Sequence, residues 1–159
     1  MHIARRLLGK LSLFVATAAA SSGALPGAKA DVNSPVGRWR TYEAGTNELR
    51  SIVEITQVGG DLQGKVVERF PPPGDPTGGL CVNCQGDLKN KPVLGMIILW
   101  GVKREGDGWG GGTILAPQSG KTFGVKLQLE DQGRKLQVRA FVGSPMFGQT
   151  QTWLRDGVG

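Results

Sequence analysis

Cys81 and Cys84, the only cysteines in the chain, stand two residues apart in the stretch GLCVNCQGDLKNKP at 79–92. Three chemistries use that spacing. Cys-x-x-Cys is half of a four-ligand zinc site, the working pair of a thiol oxidoreductase, or the two ends of a very short disulfide. For zinc, the other half is missing. There is no third cysteine, and the single histidine, His2, lies at the extreme N-terminus. Asp87, Glu68 or a second chain would have to complete the site. Redox exchange places such a pair at the start of a helix, where the dipole lowers a thiol pKa. Here Gly79-Leu80 precedes the pair and Gln85-Gly86 follows it, so it sits in a glycine-rich loop with nothing evident to activate a sulfur. A disulfide staple is the reading these residues favour over metal or redox work. A four-residue ring contributes only about 2 kcal/mol in the chain-entropy description. Its effect is therefore local, holding a long loop in one shape over the end of the fold.

Other candidates are thin. Glu54 and Glu68 fall on neighbouring strands, and paired carboxylates can perform acid–base work. Alternation with Val53 and Ile55 turns Glu54 toward solvent, however. Asp87, Lys89 and Lys91 read as an ordinary charged loop. Trp100, Trp109 and Trp153 could line a cavity or stack on a sugar, but strand tryptophans more often belong to the core or to hairpin pairs. Gly110-Gly111-Gly112 lacks the lysine-serine pair and following helix of a phosphate loop. No catalytic, cofactor-binding or metal-ligating residue is assigned, and no cofactor is expected.

The N-terminus reads as an address. Arg5, Arg6 and Lys10 precede a short apolar run from Leu11 to Ala20, and Ala28-Lys29-Ala30 supplies a small-x-small cleavage pattern. That is the layout of a secretory signal peptide, cleaved after Ala30, and its apolar core is far short of the roughly 20 residues of a spanning helix. The expectation is a leader at 1–30 and one domain at 31–159, working in a bacterial periplasm, where disulfides persist. Loss of the leader removes four basic residues and no acidic one, so the formal charge falls from +6 to +2. No Lys/Arg run survives, which excludes a nucleic-acid footprint. His2 leaves as well, so no Ser-His-Asp, Cys-His or histidine-metal site can form within one mature chain. No other segment is apolar enough to span a membrane as a helix.

The elements that must position these residues are short strands. Val125, Leu127 and Leu129 alternate with Lys126 and Gln128, and Leu136, Val138, Ala140 and Val142 alternate with Lys135, Gln137, Arg139 and Phe141. Period two with β-branched residues marks half-buried strands. Counting 125–129 and 135–142, strands are predicted there and at 37–42, 49–58, 62–70, 94–103, 108–115 and 147–155. Met96 to Trp100 is apolar at every position and predicts a strand covered on both faces. Gly59-Gly60-Asp61, Pro117-Gln118-Ser119-Gly120 and Asp131-Gln132-Gly133 supply turn chemistry, and glycines inside strands suggest bends where a sheet curls. Together these predict an all-β, antiparallel up-and-down barrel of about eight strands, with a two-sheet sandwich as the alternative. The connection at 70–92 is the longest, opens with three prolines, and carries both cysteines; loops of that length are uncommon and tend to be functional.

Gly37 and Trp39 in the first strand, with Arg155 in the last, resemble a lipocalin-type closure in which an Arg packs across a buried Trp. GRWRTYE, CVNCQGDLKNKPVLGMIILWGVK, GWGGGTILAPQSGKTFGVKL and LQVRAFVGSPMFGQTQTWLR resemble, in order and spacing, the bacterial domain-of-unknown-function family numbered 2147 over residues 35–155. The resemblance implies an exported lipocalin-like barrel and no established activity. Ala116-Pro117 and Arg139-Ala140 stand where that pattern leads one to expect Asp-Pro and Arg-Gly.

Three classes of function follow. A small apolar or amphipathic ligand could be held inside the barrel, lined by Val53, Ile55, Val66, Val125, Leu127, Leu136 and Val138 and gated by the cysteine loop. Alternatively, the protein serves as an envelope structural or interaction protein through a contact such as Phe141, Met146 and Phe147. A thiol-redox enzyme using Cys81 and Cys84 ranks last.

Overall fold

The structure, a computed structural model, describes residues 31–157; the leader expected at 1–30 lies outside the described residues. Eight antiparallel strands follow one another around a closed barrel. They are β1 (Gly37–Tyr42), β2 (Leu49–Val58), β3 (Asp61–Arg69), β4 (Ile97–Glu105), β5 (Gly108–Ala116), β6 (Lys121–Glu130), β7 (Lys135–Phe141) and β8 (Gly148–Arg155). Each strand pairs with its sequence neighbour, and β8 returns to β1 through Trp39↔Arg155 and Arg40↔Leu154. The alternation explains the closure. Inward positions such as Val53, Ile55, Val125, Leu127, Leu136 and Val138 are buried, while Arg38, Arg40, Lys65, Lys126 and Lys135 point outward. Apolar inside and charged outside is the reverse of a membrane barrel. No helix among the described residues is long and apolar enough to cross a membrane.

Two elements differ from the sequence reading by more than one residue. β6 begins at Lys121, four residues before the alternation of Val125–Leu129 becomes clear, because the turn at 117–120 is tight: Gly120 and Ser119 both donate to the Ala116 carbonyl. Alanine there does not prevent the turn, which is closed by these backbone bonds. β4 begins at Ile97 rather than at 94, since the chain first kinks through Gly95 (φ 84°), where the Val66 amide donates to the Met96 carbonyl and the Gly95 amide to the Val66 carbonyl. The apolar run is only partly covered on both faces. Ile98 and Leu99 are both buried where the β3–β4 register slips, but Ile97 is 40% exposed. Gly64 accommodates that crowding, because a Cβ there would press on Leu99 and Val53.

One end of the barrel is solid. Trp39 is fully buried and its indole N–H donates to the Pro35 carbonyl at 2.8 Å. The Arg155 guanidinium lies 4.3 Å from the centre of the Trp39 ring. It donates to the carbonyls of Gly133 (2.6 Å), Val36 (3.1 Å) and Ser34 (2.8 Å). Residues 31–36 thus cross this end as a strap, tied to the β6–β7 turn. Gly37 has φ 135°, and a Cβ on it would meet the same guanidinium. Arg38 and Arg40 both pair with Asp156 on the outside of the seam, at 3.2 and 2.9 Å.

Candidate binding cavity

Toward the opposite end the inward positions change character. Two residues beyond Trp39 on β1 stands Thr41; two before Val53 on β2 stands Ser51; two beyond Val138 on β7 stands Ala140; two before Trp153 on β8 stands Gln151. Large apolar groups give way to small or polar ones, and the space is not refilled. A cavity of about 990 Å3 opens there, at the upper end of the roughly 300–1,000 Å3 of small-molecule pockets. Its apolar wall comes from Ile98, Ile114 and Phe123 on β4–β6, with Val66, Val138 and Trp153 deeper.

Of the seven residues named from sequence as ligand-lining, Val66 and Val138 border this cavity. All seven belong to the buried core cluster that includes Trp39, but Val53, Ile55, Val125, Leu127 and Leu136 do not line the cavity. They face inward, but the solid half uses them. Thr41, Ser51, Ile98, Ile114, Phe123 and Gln151 were missed. The signal available was the inward parity itself, which continues from Val125 to Phe123 and from Val53 to Ser51. Gly37, Trp39 and Arg155 lie together at the far end, remote from the cavity mouth.

The long connection forms part of the mouth. Cys81 and Cys84 are joined by a disulfide, and both are fully buried. The Cys81 carbonyl accepts from the amides of Cys84 and Asn90, and the Cys81 amide donates to Lys91; a single 3-10 turn, Gly86–Leu88, closes the excursion. The ring docks on the β5–β6 turn. Asn83 Nδ2 donates to the Gln118 carbonyl at 2.7 Å, and Cys81 Sγ lies 3.3 Å from the Pro117 carbonyl oxygen. That second approach is a packing contact, since a disulfide sulfur carries no proton. Gly120 makes the docking feasible. Its φ is 68°, and any Cβ would collide with the Asn83 carbonyl. The loop thereby presents Phe70, Leu80, Val82 and Val93 to the cavity. On the other side of the mouth the β7–β8 tip exposes Val142 (68%), Met146 (81%) and Phe147 (75%).

Both arginines at the mouth are held in ion pairs. Arg50 pairs with Glu43 at 3.0 Å and with Glu48 at 3.1 Å, and Arg69 pairs with Asp75 at 3.2 Å. Asp75 is held down to about 2, first by the Thr77 hydroxyl, then by the Thr77 amide, with Arg69 adding to both. No group of three or more His, Cys, Asp or Glu among the described residues is placed to hold a metal. The remaining sequence candidates are dispersed. Glu68 is taken by Arg38 at 2.6 Å on the outer wall, Glu54 faces Arg38 and Lys65 there, and Trp109 lies under Arg104 at 4.4 Å.

A search of curated proteins finds no match. Among solved structures the barrel is similar to protein HP1028 from Helicobacter pylori, described as belonging to the lipocalin family. The TM-score is 0.64 at 20% identity, covering 77% of this chain and 82% of that one. At that identity the likeness concerns the fold. The sequence pattern of a family described as an uncharacterised protein conserved in bacteria, DUF2147, matches residues 37–155, and the chain belongs to that family.

Proposed function

We propose that this protein is an exported carrier: a leader at 1–30 is removed after Ala30, and the domain at 31–159 holds a small apolar or amphipathic molecule in the periplasm. The observation that carries the reading is the half-filled barrel. A protein that needed only a stable fold would continue the packing of Trp39, Val53 and Leu136 to the other end. Instead, inward positions shrink to Thr41, Ser51 and Ala140, and about 990 Å3 is left open beneath a stapled loop. Val66 and Val138 line the ligand directly, while Val53, Ile55, Val125, Leu127 and Leu136 support it from below. Gly37, Trp39 and Arg155 keep the far end shut, so exchange takes place at the cysteine-loop end.

A disulfide fits an oxidising compartment. Its burial supports a staple rather than a redox pair, since thiol exchange needs access to a sulfur. A second reading, an envelope interaction protein, draws on the exposed Val142, Met146 and Phe147. Native mass spectrometry of the protein isolated from its own periplasm without reductant separates the two. The carrier reading predicts a chain beginning at Asp31, two hydrogens lighter than the dithiol, with a small-molecule adduct. A chain that repeatedly emerges with a protein partner and no adduct supports the interaction reading instead.

A further inference from the structure

Resting on the reading of this cavity as a ligand site, we infer that its ligand is an uncharged amphiphile. Its polar part is a hydroxyl or amide rather than a carboxylate, phosphate or ammonium. Two observations lead there.

The first is the state of the charges. Among the described residues, the charged side chains lining the cavity are Glu43, Arg50, Arg69 and Asp75. Each guanidinium is already committed, Arg50 to Glu43 and Glu48 and Arg69 to Asp75. Asp75 accepts in addition from the Thr77 amide at 2.9 Å and hydroxyl at 2.7 Å. An anionic headgroup therefore meets no unpaired cation in the lining, and a cationic one meets Glu43 and Asp75 each already bonded to a guanidinium; the surplus carboxylate of the Arg50 cluster, Glu48, is 62% exposed and outside the lining. Binding an ion requires breaking one of these pairs or leaving the ion uncompensated beside Ile98, Ile114 and Phe123. A charge in that position is strongly disfavoured and neutralises instead.

The second is what remains free. Thr41 Oγ1 and Ser51 Oγ share one hydrogen bond of 2.7 Å. Two hydroxyls bring two protons and that bond uses one, so a donor and several lone pairs stay uncommitted. Gln151 accepts from the Trp153 indole through Oε1 at 3.4 Å, which leaves its amide protons available. Thr41 and Ser51 face each other on β1 and β2, one inward step above Trp39 and Val53; on β8, where Arg155 faces Trp39, Trp153 stands at their level and Gln151 one inward step nearer the mouth. The apolar wall of β4–β6 lies across the barrel. This neutral donor–acceptor station matches a group that both gives and accepts a hydrogen bond. The ligand enters with that group inward and its apolar body against Ile98, Ile114 and Phe123.

The test is a chain-matched series, dodecanol, dodecanamide, dodecanoate and dodecylammonium, displacing the uncharged fluorophore N-phenyl-1-naphthylamine at neutral pH. The alcohol and amide are expected to bind at least about tenfold more tightly than either ion, the scale of one hydrogen bond plus an avoided charge burial. Dodecanoate should gain affinity as the pH is lowered and it becomes neutral. In a Thr41→Val/Ser51→Ala variant the advantage of the alcohol over the fluorophore should shrink by about fivefold to tenfold. Dodecanoate or dodecylammonium binding as tightly as the alcohol overturns the inference while leaving the carrier reading intact. An unaltered alcohol advantage in the double variant overturns the assignment of the polar station. If the fluorophore itself does not bind the wild-type protein, the carrier reading fails and this inference with it.

Discussion

Arg155 shows how much one side chain can organise. Burial lowers its pKa, Asp31 opposes that shift through space, and no carboxylate among the described residues forms an ion pair with it. The charge is carried instead by three carbonyl dipoles and the face of Trp39. Truncation would leave those carbonyls without donors and the ring without its cover. Arg155→Ala is therefore expected to lower unfolding stability by about 3 kcal/mol, combining a cation–π contact with unsatisfied acceptors. Arg155→Lys should recover only part of that, because an ammonium cannot reproduce the three-way fork. Urea midpoints of the two variants check this. Gly37, Trp39 and Arg155 were visible in the sequence as a Gly-x-Trp and a terminal Arg. Their partners were not, because backbone acceptors at Ser34, Val36 and Gly133 leave no trace in residue type. Asp75 makes a prediction with a pH sign. Its folded pKa of about 2 lies below its ordinary value of 3.8. The stability it contributes is complete above about pH 4 and is lost as the pH falls through 2. The gap in thermal midpoint between wild type and Asp75→Asn should thus close between pH 5 and pH 2; a constant gap would show that the carboxylate charge is not what holds the loop.

At the scale of elements, the strands were legible and the long connection was not. Alternation is a period-two signal that any half-buried strand must carry, so all eight strands emerged, with end shifts of more than one residue only at β4 and β6. Residues 70–96 have no period to read. Their order comes from backbone bonds such as Cys81–Lys91, the Arg69–Asp75–Thr77 cluster and docking on Gly120. The disulfide should matter here and little elsewhere. Cys81→Ser is expected to cost about 2 kcal/mol, with hydrogen-exchange protection lost between residues 79 and 95 while β6 and β7 keep theirs. Loss of protection throughout the barrel would contradict a local staple. The seam offers a second element-scale prediction. β8 pairs with β7 along its whole length but with β1 only at Trp39↔Arg155 and Arg40↔Leu154. The open-end half of β8 therefore keeps one edge unpaired. Amides on that edge should exchange faster than those of the fully paired β6–β7 ladder.

For the molecule as a whole, the division into a packed half and an open half is the property on which the proposed function rests. Sequence parity told inside from outside but not filled from empty, because a cavity depends on the summed volume of side chains from eight separated strands. Val53, Ile55, Val125, Leu127 and Leu136 read the same as Val66 and Val138 until their heights along the barrel are known. The substitution pattern at the open end, Thr41 above Trp39 and Ala140 above Val138, becomes meaningful only once β1 and β7 are placed in one wall. Family membership and the likeness to HP1028 support the barrel and do not identify a ligand. The most direct test of the central claim is a fluorescence titration with N-phenyl-1-naphthylamine on the wild-type protein and on Ala140→Trp, which puts an indole into the cavity wall. A ligand-holding cavity predicts saturable binding of one molecule per wild-type chain, weakened at least about tenfold in a folded Ala140→Trp protein. Equal binding by both proteins would place the ligand outside the cavity, and no saturable binding by the wild type would contradict a carrier role.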